Sequence, residues 1–317
     1  MRHPTALIGR RTLTAGLGLA LATPAIRRAR AATPVALGYT ATLGFNAAFI
    51  AKDRGIFAKN GLDVNLVLIT LNSNIPGALV GGSIQIGGPT PTVMLQADDG
   101  GLDMVVVSGC SGIDPDNKTD GLLVRRGVQI AQPADCAGKK IGVPGLNAYY
   151  HVMVRKWLDD HGVDWRRVNF VEVPFTQSAD VLRSGSVDAV ATGEPFSQRI
   201  VADGIGTLVV AASDIAPGGT PSLFYAATRA WARANGPTAA SFKQSIAEAI
   251  RFQAADPAGA RDSAGKFIRL PPEVMASVSM PLLQSDVTPQ QVGFWVDLMA
   301  KQGMIQDKPD PAKLLTP

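Results

Sequence analysis

The sequence predicts an α/β protein of two lobes, each a mostly parallel sheet flanked by helices, and three observations support this prediction. Val35–Ile69 runs as a strand, a polar loop, a helix, a glycine and a second strand. Lys140–Val173 repeats that order. Each copy is followed by a short glycine-serine hook, Gly82–Ile86 in the first and Gly185–Ala189 in the second. Because alternating strands and helices are typical of α/β folds, one structural unit is predicted to occur twice.

We interpret Met1–Ala31 as an export signal of the twin-arginine type. It contains the pair Arg10-Arg11, the short apolar run Leu17–Ala22 and small residues at a cleavage-type position. An intact arginine pair before a weak apolar run favours the twin-arginine route, and an ordinary secretory signal is the alternative. We expect cleavage near Ala31 and a periplasmic location. The segment has no cysteine, so no lipoprotein membrane anchor is expected.

The charge of the chain changes sign once this segment is removed. The whole sequence has 30 basic and 26 acidic side chains, and six of the basic ones are arginines before residue 32. The remaining 24 basic and 26 acidic residues form no positive excess. A nucleic-acid partner is therefore not expected.

We predict that the chain crosses twice between the lobes. Residues 32–121 form lobe 1, residues 122–221 form lobe 2, and residues 222–317 return to lobe 1 and add C-terminal helices. The first crossing follows a polar, aspartate-rich turn, and the return strand Leu223–Ala227 follows a proline-glycine breaker. Thr288-Pro289 predicts the capped start of a helix.

In each copy, the loop after the first strand delivers an asparagine to a predicted helix start. These are Asn46 and Asn147, whose side chains can cap free backbone N–H groups. A helix start gathers N–H donors and a positive dipole, so it suits an anion or a carbonyl-rich ligand. Gly61 and Gly162 are expected to end the two helices. Two lobes with such loops facing each other predict a ligand cleft.

The candidate ligand-binding residues lie in these loops, and they are polar or aromatic with a single charge. Those of the first lobe are Tyr39, Thr40, Phe45, Asn46, Asn72, Ser73, Asn74, Thr90, Thr92 and Ser111, and those of the second are Asn147, Tyr149, His151 and Glu194. No lysine or arginine lies in these loops, so an anion would depend on helix N-termini and hydroxyls. The aromatic rings suit a flat ligand or an apolar tail.

Several of these candidates also have a structural interpretation. Tyr150 shares a helix face with Val154 and Leu158, so we expect it in the core. His151 is alternatively a satisfied histidine without a ligand role. Glu194 alternatively caps a helix or pairs across the hinge.

Three motifs together resemble a known family. They are Ala48–Val64, Asp135–Val143 and Gly185–Phe196, and in this order they are similar to the periplasmic substrate-binding proteins of ABC importers in the nitrate, sulfonate, taurine and thiamine-precursor group. The resemblance covers residues 33 to 250. It implies a type II periplasmic-binding-protein fold whose lobes close on a ligand by a hinge. Two departures are Cys136 where the family usually has leucine, and Gln85 where it usually has aspartate.

The resemblance implies a receptor that gives a small solute to an ABC permease and its ATPase subunit. A sulfonate or related oxyanion is the ligand it favours, and a neutral pyrimidine or other aromatic compound is the alternative. We expect a monomer, with no cofactor, no metal and no enzymatic activity.

One enzymatic alternative remains, a cleft enzyme of the desulfinase type that would use Cys110 and His151. Cys110 and Cys136 are expected to be free thiols in different lobes.

Overall fold

We describe residues 32–269 and 272–316 of a computed structural model. Ala32–Pro317 forms one compact unit, and the predicted export signal lies outside the described residues. The strands are β1 Thr33–Tyr39, β2 Leu62–Leu68, β3 Ile86–Gly87, β4 Met104–Gly112, β5 Gly121–Arg125, β6 Lys140–Val143, β7 Asn169–Glu172, β8 Ala189–Thr192, β9 Gly206–Ala211, β10 Pro221–Thr228 and β11 Leu282–Leu283. The helices are α1 Asn46–Asp53, α2 Ile56–Lys59, α3 Ile75–Val80, α4 Pro91–Asp99, α5 Tyr149–Asp160, α6 Ser178–Arg183, α7 Phe196–Ala202, α8 Arg229–Ala234, α9 Gly236–Ala255, α10 Pro257–Gly265, α11 Pro272–Ser277 and α12 Pro289–Lys301.

The strands form two sheets, which we use to define two lobes. The first sheet has the order β11-β4-β10-β3-β1-β2, and the second has the order β7-β6-β8-β5-β9. Residues 113–120 and 212–220 connect the sheets. The predicted two-lobed α/β fold is confirmed, while the exact boundaries after residues 121 and 221 stay predictions.

Both sheets are mixed in strand direction. In the first, β2, β1 and β3 are parallel, and β10, which returns from the second lobe, is antiparallel to β3 and β4. In the second, β7, β6 and β8 are parallel, and β5, which enters from the first lobe, is antiparallel to β8 and β9. In each sheet, the strand next to the crossing, β10 or β5, runs antiparallel to both of its neighbours.

The two hooks hold the two repeated strands in the same way. In the first copy, the side-chain oxygen of Gln85 accepts a hydrogen bond of 2.8 Å from the backbone N–H of Ala36. In the second copy, the Asp188 carboxylate accepts one of 2.9 Å from the N–H of Lys140. An amide oxygen at Gln85 thus accepts the same kind of backbone hydrogen bond as the carboxylate of Asp188.

The start of the first repeated helix differs from the prediction. A short 3-10 turn, Leu43–Phe45, precedes α1, and the Thr42 hydroxyl caps that turn. Asn46 is the first residue of α1 and makes no cap, so the predicted capping role is wrong. The chain also bends at Gly55, whose φ of 69° separates α1 from α2. Gly61 and Gly162 take positive φ after their helices, as expected.

The C-terminal helix α12 joins the first lobe to the second. Thr288 caps its start, which confirms the predicted helix boundary. Trp295 of α12 is fully buried and contacts Tyr149 of α5 edge to face, with ring centroids 5.8 Å apart. The start of α5 is thereby fixed beside the space between the lobes.

Candidate functional site

A cavity of about 70 Å³ lies between the two lobes. Its walls come from loops that follow strands of both sheets and from the two crossing segments. Its polar lining residues are Thr40, Thr42, Asn72, Thr90, Ser111, Asp114, Asn117, Asp120, Tyr149, Tyr150, Glu194, Ser213, Ser222 and Ser279. Leu43, Ile113, Phe175, Leu223, Pro281 and Leu282 are among the apolar ones.

Six of the sequence-predicted site residues line this cavity. They are Thr40, Asn72, Thr90, Ser111, Tyr149 and Glu194. The structure therefore brings together candidates from both copies of the repeat, and their roles toward a ligand stay predictions.

The wall from the first lobe is braced by its own side chains. Asn72 donates to the carbonyl of Gly88 at 3.0 Å and accepts from the N–H of Thr90 at 2.9 Å. The Thr90 hydroxyl caps α4 through the N–H of Val93. Because these groups hold each other, the loop is a rigid surface. Thr40, 1% exposed, differs because its hydroxyl has no partner among the described residues.

The wall from the second lobe is built around Glu194. Its backbone N–H donates to Asp120 at 2.8 Å, and its side chain is only 4% exposed. Neither carboxylate oxygen accepts a hydrogen bond of normal geometry among the described residues, and the nearest donors are the Thr119 hydroxyl and the Gln198 backbone N–H, which lower its pKa. Burial raises the pKa of Glu194 to about 7 and that of Asp120 to about 6, since burial penalises the charged form.

Gly193 leaves room for the two side chains beside Glu194. A Cβ atom at Gly193 would lie 2.0 Å from the hydroxyl of Tyr150 and 3.2 Å from a carboxylate oxygen of Asp120. The Tyr150 ring meets the rings of Tyr149 and Phe175 edge to face. Tyr150 thus packs in the core, as expected, and also lines the cavity.

Glu194 also connects the lobes through its backbone. Its carbonyl accepts hydrogen bonds of 3.2 Å from the N–H of Leu43 and from the hydroxyl of Thr42. A second contact across the rim joins the Ser73 hydroxyl to the Glu172 carboxylate at 2.9 Å. The lobes are therefore in contact on two sides of the cavity.

The other eight predicted residues do not line the cavity. They are Tyr39, Phe45, Asn46, Ser73, Asn74, Thr92, Asn147 and His151. Tyr39 and Phe45 pack in the first lobe's core, and Thr92 shares a hydrogen bond with Thr90 behind the wall. Ser73 lies at the rim, and Asn74 is exposed.

Asn46 is fully buried away from the cavity. Its side-chain amide donates to Gln253 at 2.8 Å and to the carbonyl of Ala260 at 3.4 Å. Asn147 takes φ of 61°, and Ala148 precedes α5 without a side-chain cap, so the predicted cap by Asn147 is wrong. Nδ1 of His151 instead accepts the N–H of Asn147 at 2.8 Å.

His151 is enclosed by the second lobe. Its ring lies against Phe170, with centroids 4.4 Å apart, and burial lowers its pKa to about 3, with a further lowering from nearby Arg155. His151 is therefore neutral at physiological pH.

Cys110 is buried in the first lobe, where its thiol donates to the carbonyl of Gly44 at 3.2 Å. Burial raises its pKa to about 12, so the thiol is protonated at neutral pH. Neither Cys110 nor His151 lines the cavity, and the Cys–His pair of the enzymatic alternative is not assembled there. Cys136 is a second buried free thiol, in the other lobe.

The first crossing segment supplies lining residues that were not among the sequence-predicted candidates. Asp114, Asn117 and Asp120 all line the cavity, whereas their sequence pattern predicts only a polar turn. The available signal was its position, since a segment joining two lobes passes beside the space between them. No Lys, Arg or His is among the described lining residues. The described residues also hold no group of three metal-type side chains.

Residues 28–268 match the family described as the NMT1-like family, which is about three quarters of the chain. The chain belongs to this family. Among curated relatives, a protein of Brucella abortus (strain 2308) named a putative binding protein is 28% identical over 241 residues, 75% of this chain and 72% of that protein. The bicarbonate-binding protein CmpA of Synechococcus elongatus is 25% identical over 196 residues, 54% of this chain and 43% of CmpA.

Solved structures show the same fold as this NMT1-like chain. The alkanesulfonate-binding protein SsuA from Xanthomonas axonopodis pv. citri, bound to MOPS, has a TM-score of 0.73 at 20% identity and covers 91% of this chain and 99% of its own. The periplasmic nitrate-binding protein NrtA from Synechocystis PCC 6803 has a TM-score of 0.75 at 16% identity, covering 90% and 86%. The resemblance that the three motifs indicated is confirmed. No described helix has the length and apolar character that crossing a bilayer requires.

Proposed function

We propose that this chain is the extracytoplasmic solute receptor of an ABC importer, which encloses a small organic solute between its lobes and delivers it to the permease and its ATPase subunit. The observation that supports this most directly is the cavity itself. Both lobes and both crossing segments supply its walls. A solute in the cavity would therefore contact the two lobes and the segments between them, which are the parts that rearrange in a hinge closure. The relatives named as binding proteins support the same function.

The periplasm is the proposed location, and cleavage of the export signal near Ala31 is part of the proposal. The oxyanion and neutral aromatic ligands expected from the sequence remain candidates for the solute. The proposed receptor acts as a monomer and without catalysis. Support for the latter comes from Cys110, whose protonated thiol is held by a backbone carbonyl in the core.

A thermal-shift screen of the purified protein tests the proposal. The set should hold sulfonates, nitrate, bicarbonate, pyrimidines, aromatic acids and organic amines. A solute at 100 times its dissociation constant adds about 2.7 kcal/mol to the free energy of unfolding. At least one solute is expected to reach such a shift.

Two variants then locate the site by calorimetry. Phe175→Ala removes a ring that lines the cavity and should weaken binding by about 1–2 kcal/mol. Phe170→Ala, whose ring covers His151 outside the cavity, is the matched control and should keep the affinity. If no solute in the screen stabilises the protein, or if only Phe170→Ala affects binding, the proposed function is wrong.

A further inference from the structure

The charges around the cavity have one sign. Asp114, Asp120 and Glu194 line it, and no basic side chain is among its described lining residues. The nearby Lys118 is bonded to Asp214 and Ser213 instead. The resemblance favours an oxyanion, yet an anion would meet three carboxyl groups here without a counter-charge. Such an arrangement costs free energy, because like charges repel strongly where water is excluded.

The buried carboxylate of Glu194 is an independent observation that points to a hydrogen-bond donor supplied by a ligand. It is 96% buried, and neither carboxylate oxygen accepts a hydrogen bond of normal geometry among the described residues, although the Thr119 hydroxyl and the Gln198 backbone N–H lie near enough to lower its pKa. A buried acceptor without a donor costs about 1–3 kcal/mol, so such groups usually have a partner or a binding role. The hydroxyl of Thr40, on the opposite lobe, is a second buried and unpartnered group of the same cavity.

The remaining walls suit the carbon body of an organic molecule. Tyr149, Tyr150 and Phe175 form an edge-to-face series of rings along one side. Leu43 and Leu223 of the first lobe also line the cavity. Aromatic faces attract cations as well as apolar groups, and this attraction strengthens when water is excluded.

We propose that the solute is a small organic cation, a protonated amine or amidine on an apolar or aromatic body. Its N–H groups donate to the carboxylates of Glu194 and Asp120, and its body packs on Tyr149, Tyr150 and Phe175. This inference rests on the proposed function and specifies its substrate class. It departs from the sulfonate, nitrate and bicarbonate named for the relatives, which are 16–25% identical to this chain.

The ionisation of the two carboxyl groups predicts a proton exchange on binding that distinguishes a cation from an anion. With the pKa of Glu194 at about 7 and that of Asp120 at about 6, the two carboxyl groups are partly protonated near neutral pH in the ligand-free protein. The titratable groups facing them are Tyr149, Tyr150 and Asp114, whose carboxylate raises the pKa of Asp120 further. A bound cation favours the ionised carboxylates, so its binding releases protons. A bound anion would instead cause proton uptake.

Two series of probes with matched bodies test the charge preference. One is benzamidine, benzamide and benzoate, and the other is butylamine, butyrate and butanesulfonate. Calorimetry at pH 7, in buffers of different ionisation enthalpy, measures affinity and proton release together. We expect the cation of at least one series to bind at least tenfold more tightly than its anion and to release protons.

Glu194→Gln keeps the shape of the side chain and removes its charge. It should raise the dissociation constant of the bound cation by about 10- to 100-fold, which is the range of a charge-assisted hydrogen bond. Glu248→Gln is the matched control, because Glu248 pairs with Lys59 on the outside of the first lobe.

Three results would overturn the proposal: tighter binding of an anion, no binding of either cation, or an unchanged affinity in Glu194→Gln. Tight binding of an anion that Phe175→Ala weakens would leave the receptor function standing and refute only the cation. A screen in which nothing binds would refute both.

Discussion

Glu194 places an ionisable group where its charge is unfavourable in the absence of a ligand. Its pKa is raised from the reference value of 4.5 to about 7 in the folded protein, because burial penalises the carboxylate. Between these two values the folded state binds more protons than the unfolded state. The contribution of Glu194 to the free energy of unfolding therefore falls as pH rises from about 4.5 to about 7.

Glu194→Gln should remove this pH dependence. At pH 5 the variant and the wild type should be similar in stability. At pH 8 the variant should be more stable, by on the order of 3 kcal/mol at most, because it carries no buried charge. Urea unfolding of the ligand-free proteins from pH 5 to 8 measures the difference, with Glu248→Gln as control. A constant difference across this range would show that Glu194 does not titrate as described.

For individual residues, the sequence predicts which loops reach the cavity better than it predicts which of their side chains face it. Thr40, Asn72 and Glu194 reach the cavity, as their positions after strands indicated. Asn46 does not, because the 3-10 turn before α1 moves the capping position to Thr42 and turns the amide toward Gln253. Side-chain direction depends on such single-residue shifts, which local sequence patterns do not encode.

The hooks are the elements in which the repeat is most closely preserved. Gln85 and Asp188 both accept a backbone N–H from a neighbouring strand, Ala36 in the middle of β1 and Lys140 at the start of β6, although one acceptor is an amide and the other a carboxylate. This position in each hook requires a side-chain oxygen that can accept a hydrogen bond from the neighbouring strand.

We expect Gln85→Ala and Asp188→Ala each to lower the free energy of unfolding by about 0.5–1.5 kcal/mol, because each leaves an N–H group unpaired. Gln85→Glu and Asp188→Asn retain an acceptor and should lose less. Urea unfolding at neutral pH compares the four variants. Equal losses in the alanine and acceptor-retaining variants would mean that these two hydrogen bonds do not stabilise the strands.

Among elements, the strands and helices of the repeat were predictable because apolar runs and terminal glycines are local signals. The directions of β5 and β10 were not. Each is set by the side from which the chain enters its sheet after crossing between lobes, and this is a property of the tertiary path.

For the whole molecule, the contacts across the cavity describe a closed arrangement. Besides the Glu194 carbonyl, the Glu172 carboxylate accepts from Ser73 of the first lobe and from the N–H of Leu146 in its own lobe. The N–H of Asn72 donates to the carbonyl of Pro144 at 3.4 Å beside them. Glu172 does not line the cavity, so it bears on closure without touching the solute.

Glu172→Ala should shift the ligand-free protein toward the open arrangement and weaken solute binding by about 2- to 10-fold, since part of the binding free energy would then be spent on closing. Small-angle scattering should show a larger radius of gyration without ligand and the wild-type value at saturation. Glu248→Ala is the control for a lost carboxylate far from the rim. Wild-type affinity and scattering in Glu172→Ala would show that this contact does not contribute to closure.

Because the two native cysteines are unreactive, lobe motions can be followed by labelling cysteines introduced elsewhere. Both are buried, and burial raises their pKa values to about 12 for Cys110 and about 11 for Cys136, so neither forms a reactive thiolate at neutral pH. They are the only two cysteines of the chain. A cysteine introduced on the surface of each lobe would therefore react with maleimide dyes, while the native thiols would remain unlabelled. The wild-type background can carry fluorophores for distance measurements without first being made cysteine-free.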